Sequence, residues 1–378
     1  MVPQRLDPPF NVDALPDTPA VFVVAVREGE PYVGRTTRLR RRLKRLLGDR
    51  AGVSRFLSLR DLATSIEIHP CASRLDASLL FYEIARRCFP ETYARVVKLR
   101  QPPMVKVLLS NAYPRTQVTT KLSASKAMHY GPFRTRADAE RFESEVLDLF
   151  QVRRCQEDLV VSINHPGCIY GEMARCLRPC QQAVSRDEYL SEVQRLVQFL
   201  ATDGQSLLGP ILAARDRSSN DLDFEEAQRQ HQRAQRIEQV LKLRGDLVND
   251  IERLNGVAVT SSSTPGFVQV RFLLSGQWSP VCDFRVAPDS CGEMVPLDRR
   301  LRDVASELSV QKSTVRDRMD HLALLSRWFY SSWRDGEWIG FSSLDDLPYR
   351  KIVRAISRVA SAGSLIPQET VGPPIPRP

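Results

Sequence analysis

Four cysteines fall within 26 residues, Cys155, Cys168, Cys176 and Cys180, at the spacing C-x12-C-x7-C-x3-C. A polar stretch that gathers so many soft ligands is organised by what the sulfurs bind rather than by apolar burial. Thiolates in fours hold either tetrahedral zinc or an iron–sulfur cluster. Zinc sites usually close with a tight cysteine pair at each end, and here only the last pair is close, so the wide first gap favours a cluster. Pro166-Gly167 before Cys168 and Pro179 before Cys180 supply turns that let the sulfurs converge. The competing reading is four separate core thiols, which half of the chain's eight cysteines falling in one short polar stretch makes the weaker one. Cys71, Cys88, Cys282 and Cys291 share no ligand spacing and read as ordinary thiols.

With 378 residues, 42% of them hydrophobic, the chain buries a real core and is expected to form more than one domain. The 54 Lys and Arg exceed the 45 Asp and Glu by nine, which favours a polyanionic partner. The longest apolar runs, 20–26 and 105–110, are too short to span a bilayer, and the N-terminus lacks a basic-then-apolar leader. We therefore expect a cytoplasmic protein with reduced thiols and no membrane partner. Seven cations in eleven residues, Arg35, Arg38, Arg40, Arg41, Arg42, Lys44 and Arg45, share a helical pattern whose other face holds Leu39, Leu43 and Leu46. No acid interrupts the run, so it reads as a face that tracks phosphates; Arg38, Arg40, Arg41, Lys44 and Arg45 are the candidate DNA contacts.

Val-rich 20–26, a turn at Glu28-Gly29-Glu30 and a strand at 32–34 predict a hairpin. Helices are predicted at 76–88, 136–150, 186–201 and 222–243, and strands at 105–109, 117–122, 257–260, 267–274 and 278–286. The aromatic group Trp328, Phe329, Tyr330, Trp333 and Trp338 reads as core for C-terminal helices. The five histidines show no metal or triad spacing; His165 lies nearest the cysteines.

The cysteine stretch is where the chain resembles the UvrC family, the incision subunit of bacterial nucleotide excision repair. Its R-P-C and R-C-x-x-P-C phrases have counterparts in His165-Pro166-Gly167-Cys168 and Arg175-Cys176-Leu177-Arg178-Pro179-Cys180. The resemblance implies a [4Fe–4S] cluster on the four cysteines, with zinc as the alternative. Upstream, Tyr130-Gly131-Pro132-Phe133, Pro19-Ala20-Val21-Phe22 and Tyr32-Val33-Gly34-Arg35 are similar to phrases of the family's GIY-YIG nuclease domain. Downstream, Leu222-Asp223-Phe224-Glu225-Glu226-Ala227 is similar to the UVR motif, which implies that Leu222, Phe224, Glu225 and Ala227 meet a UvrB-like protein. No counterpart of the family's RNase H-like and helix–hairpin–helix parts is found, so the second incision chemistry is not expected.

The expected fold is a multidomain α+β one. A degenerate GIY-YIG-type small mixed sheet with helices fills 1–110 and a cysteine-cluster module 111–205. A helical docking segment follows at 206–250, then a small antiparallel β module at 251–297. C-terminal helices take 298–362, and a disordered Pro-rich tail 363–378.

GIY-YIG chemistry needs a tyrosine near the attacking water, an arginine on the phosphate and a glutamate holding one divalent metal. By resemblance Tyr32 keeps one tyrosine position, Arg35 replaces a lysine and Arg42 matches the arginine. Phe22 stands in place of the other tyrosine, and Phe81 aligns with the glutamate. Glu83, two residues on, is about 200° around the helix. The expected function is UvrC-like DNA repair by binding DNA and a UvrB-like partner, with a degenerate nuclease site. The alternative is an active endonuclease making a single incision beside a lesion, with Tyr32, Arg35, Arg42 and Glu83 around Mg²⁺ or Mn²⁺.

Overall fold

A computed structural model describes residues 3–48, 59–123, 126–286, 296–309 and 313–364. Cys291 and the tail expected to be disordered from 365 onward lie outside the described residues. Among the described residues the fold is α+β, with three small sheets.

The first sheet grows from the predicted hairpin. Strand β2 (Ala20–Val26) turns through Gly29, at φ +96°, into β3 (Tyr32–Thr36). Helix α1 (Leu39–Leu47) then crosses to β4 (Ala63–Pro70), and β1 (Gln4–Leu6) pairs outside β4. The order is β1–β4–β2–β3, with β3 on the edge. The mixed sheet expected here is antiparallel throughout, because β3 and β4 run the same way but flank β2 and never pair. Strand alternation sends Phe22, Val24, Ile66 and Ile68 to one face, under Leu39, Leu43 and Leu46 of α1. Val21 and Val23 go to the other, under α2 (Arg74–Cys88). Ser73 caps α2 by accepting the Asp76 N–H at 3.0 Å, and Arg86 and Arg87 suit its C-terminal dipole. A short α3 (Tyr93–Val96) follows.

The second sheet has the order β6–β5–β7–β8, from β5 (Met104–Val107), β6 (Thr116–Thr119), β7 (Met128–Gly131) and β8 (Asn249–Asp250). Its first hairpin straddles the boundary expected at 110/111. Helix α4 (Arg136–Leu147) covers this sheet, and α5 (Ile169–Glu172) is one turn inside the cysteine loop. Then come α6 (Arg186–Ala201), α7 (Gln205–Asn220) and α8 (Phe224–Lys242), the last two packed as a helical hairpin. Capping boxes Thr135/Asp138 and Ser185/Glu188 start α4 and α6 at the predicted residues.

The third sheet runs β11–β10–β9–β13, with β12 also on β10: β9 (Asn255–Ser261), β10 (Phe267–Leu274), β11 (Gln277–Trp278), β12 (Cys282–Arg285) and β13 (Glu337–Phe341). Helices α9 (Leu297–Glu307), α10 (Val315–Phe329) and α11 (Tyr349–Ser364) accompany it. The region expected to be helical thus contributes a strand. Trp338 pairs with Ala258, and its ring fills the space over Gly256 that any side chain there would take.

The first and third sheets share a core. Leu79, Tyr82 and Tyr93 pack in one cluster with Leu254, Leu273, Leu322, Leu325 and Trp328. Helix α2 is therefore clasped from both sides. Buried Asp320 of α10 accepts hydrogen bonds from Tyr93 Oη at 2.6 Å and Tyr82 Oη at 3.4 Å. Arg86 pairs with Asp317 at 2.6 Å, and the Arg74 N–H donates to Asp335. The aromatic group is core as expected, except that Trp333 stays 47% exposed.

Candidate functional site

The edge strand β3 separates two sets of residues. On the α1 face, the Arg42 guanidinium donates to Tyr32 Oη at 2.6 Å. Phe22 sits behind Tyr32, ring centroids 6.0 Å apart, and is fully buried. Gly34 lies opposite Phe22, and a Cβ there would meet the ring at 2.6 Å, so this strand needs glycine for the two strands to close. On the α2 face, Arg35 donates to Ser78 Oγ at 3.0 Å and stands 5.6 Å over the Phe81 ring. Burial lowers the Arg35 pKa from its ordinary value.

Glu83 joins neither set. It faces Arg271 of β10 at 3.9 Å, and Arg271 also reaches Asp76 at 3.4 Å. Burial raises the Glu83 carboxyl despite Arg271. Phe81, two positions earlier on α2, is the residue that meets Arg35, as helical rotation requires. Of the four candidate catalytic residues, only Tyr32 and Arg42 touch.

Arg38, Arg40, Arg41, Lys44 and Arg45 are all exposed around α1. Acids absent from the run itself arrive from the preceding segment. Asp17 accepts the Arg41 N–H at 3.1 Å, and Asp13 pairs with Lys44.

In the cysteine loop Cys176 and Cys180 are buried, Cys155 is half-buried and Cys168 exposed. Burial pushes the Cys176 thiol up to about 11, and Cys155, Cys168 and Cys180 add to the shift; Cys180 is raised by burial and then by Cys168 and Cys155. Among the described residues no three His, Cys, Asp or Glu side chains already form a metal-holding group. The surroundings nonetheless suit a soft metal centre. Arg153 donates to Cys155 Sγ at 3.3 Å and the Arg178 N–H to Cys176 Sγ at 3.4 Å, the kind of bond that steadies a thiolate. Arg178 and Gln182 take left-handed conformations on either side of Pro179–Gln181, which turns Cys180 inward. Gly167, at φ +80°, lies where a Cβ would strike the Gln181 side chain. The Gln181 amide donates to the His165 carbonyl at 3.1 Å, and His165 Nδ1 accepts the Gly167 N–H at 3.0 Å, so His165 braces the loop.

Sequence reading missed Arg153. It is 3% exposed and ties the loop down through the carbonyls of Tyr113 and Glu157 at 3.0 Å each, while its N–H donates to Tyr189 Oη. The basic pair directly before the first cysteine was the available signal.

At the tip of the α7–α8 hairpin, Leu222 is 72% and Phe224 67% exposed. Asp223, between them, caps α8 by accepting the Glu226 N–H at 3.1 Å. Glu225 is exposed beside them and Ala227 half-buried.

Residues 103–199 match the UvrC/Cho excinuclease middle domain. The chain is also similar to the UvrABC system protein C of Ruminiclostridium cellulolyticum, 23% identical over 266 residues, covering 70% of this chain and 43% of that protein. To its counterpart in Caulobacter vibrioides it is 22% identical over 268 residues, 71% of this chain and 42% of that one. The Dictyoglomus thermophilum protein is 24% identical over 218 residues, 57% and 36% respectively. The chain is thus UvrC-like over about 70% of its length and spans about two fifths of the relatives it matches. No solved structure matches it. No described helix is long and apolar enough to cross a membrane.

Proposed function

We propose that this UvrC-like chain is a DNA-binding protein of the nucleotide excision repair type whose first unit keeps a nuclease shape without the reaction. The observation that carries this reading is the ring of Phe81 under Arg35, with Glu83 turned to Arg271. A phenyl ring ligates no metal, and a hydrolytic water without a metal or base stays near its bulk acidity. DNA contact is assigned to the exposed cations of α1, which follow the backbone regardless of base sequence. The exposed Leu222 and Phe224, flanked by Glu225 and Ala227, suit docking of a UvrB-like partner. Cys155, Cys168, Cys176 and Cys180 would hold a [4Fe–4S] cluster, or zinc as the alternative. Such a group supplies a four-way cross-link to a loop with little core of its own.

The test is a nicked-plasmid assay on damaged duplex with Mg²⁺ or Mn²⁺, with and without a UvrB-type protein, comparing the wild type with Arg42→Ala and Glu83→Gln. Nicking at background in all three is the expected result. The Tyr32–Arg42 contact favours the alternative of a single-incision endonuclease. Metal-dependent nicking that vanishes in Glu83→Gln establishes that alternative.

A further inference from the structure

Two arginines from distant parts of the chain, Arg35 and Arg100, come within electrostatic reach of a third, Arg327, where α10 packs against α2. Arg35 comes from β3, Arg327 from the last turn of α10, and Arg100 from the segment after α3. Arg327 is held there by the carbonyls of Val97, at 3.1 Å, and Lys98, which places it beside Arg100 two residues on. Burial, then Arg35 and Arg100, lower the Arg327 pKa, so Arg327 feels both of the other guanidiniums. Among the described residues no carboxylate forms an ion pair with any of them. Like charges brought together without a counter-charge repel, and an anion placed between them relieves the repulsion.

The neighbouring surface indicates which anion. On α2, Arg74 and Ser78 lie one turn apart on the same side. Ser78 accepts from Arg35, while Arg74 stacks at 4.2 Å over the exposed Trp333 ring. A group of guanidiniums continued by a partly exposed indole matches a sugar–phosphate backbone with a base at its side, rather than an isolated phosphate ion.

We propose that Arg35, Arg100 and Arg327 form a metal-free clamp for backbone phosphates of DNA, with Trp333 as a stacking platform beside it. The clamp rests on the DNA-binding reading above and deepens it: the position aligned with a metal-holding glutamate would be served by fixed cations, one of them supplied by the C-terminal helix α10.

The test measures duplex and single-stranded DNA binding by fluorescence anisotropy across a salt series, in EDTA, with the full chain. Arg100→Ala and Arg327→Ala should each flatten the slope of log K against log salt by about one unit. Arg327→Ala also removes bonds to two carbonyls, so Arg100→Ala, whose residue is exposed, is the variant read first. Both are compared with the wild type by thermal midpoint. Unchanged slopes in both, with a flattened slope in Arg41→Glu, overturn the clamp and leave DNA binding by α1 standing. Wild type that binds no DNA overturns both readings. Binding that requires Mg²⁺ overturns the metal-free clamp. Inorganic phosphate is added against chloride at matched ionic strength; displacement of DNA by phosphate alone assigns the arginines to a small phosphate ligand instead.

Discussion

The cysteine loop and the β3 edge both carry residues marked by the same resemblance, and they answer to it in opposite ways. The loop retains all four thiols. The edge has phenylalanine, Phe22 and Phe81, at two positions where the resemblance implies a hydroxyl and a carboxylate. Packing accounts for the contrast. Around the cysteines Val160, Ile163 and Ile169 face outward, 71%, 78% and 67% exposed, and Leu177 alone of the loop packs on the neighbouring core, so little would hold the loop if the thiols went. At the edge, Phe22 and Phe81 sit inside continuous apolar clusters on the two faces of the sheet. There an aromatic ring stabilises the fold more than a buried polar group would. The loop has few buried apolar side chains to lean on besides its thiols, whereas the edge leans on its rings.

The largest effect expected from this contrast is in the loop. Cys176→Ser or Cys180→Ser should remove bound iron or zinc and most of the soluble protein, because ligation of a structural metal is folding free energy of order ten kcal/mol. Soluble yield and metal content measure it. Variants as soluble as the wild type would erase the contrast.

A smaller change is expected where the edge is restored to the residues of the resemblance. Phe81→Glu places a carboxylate among the apolar side chains around the ring, next to Arg35, and should lower unfolding free energy by roughly 2–4 kcal/mol. Phe22→Tyr adds a hydroxyl to a ring with no exposed surface and should cost roughly 1–3 kcal/mol. Urea unfolding reads both. A variant as stable as the wild type, with metal-dependent nicking gained, would show that the edge kept room for the reaction.

The smallest effect concerns the clasp on α2. Burial lowers His321 to about 4, and its Nδ1 accepts the Trp278 N–H at 3.1 Å beside the Tyr82 ring. Its folded pKa lies below the ordinary 6.5, so the unfolded chain takes the proton first. The stability that neutral His321 permits is complete above pH 6.5 and is lost as pH falls towards 4. His321→Asn retains an acceptor without a titrating ring, and should outlast the wild type by about 1–2 kcal/mol more at pH 5 than at pH 7.5. Asp320, whose carboxyl burial raises, titrates in both proteins and drops out of the difference. A constant difference across pH would mean that His321 does not sense the clasp.

What the sequence by itself determined is mostly local. The β2–β3 hairpin, the starts of α4 and α6 and the leucine face of α1 are set by turn glycine, capping pairs and periodicity acting over a few residues. The cysteine spacing and the similarity to UvrC proteins were legible for the same reason, since each is a short pattern. Only the tertiary structure decided which way helix α2 turns its acids. Arg271 holds Asp76 and Glu83 from a sheet nearly two hundred residues further along. It also brought Asp13 and Asp17 to the basic helix, completed the third sheet with β13 and brought Arg327 within electrostatic reach of Arg35. Such contacts depend on strand order and on how packed faces meet, and residue propensities a few positions apart carry no information about either.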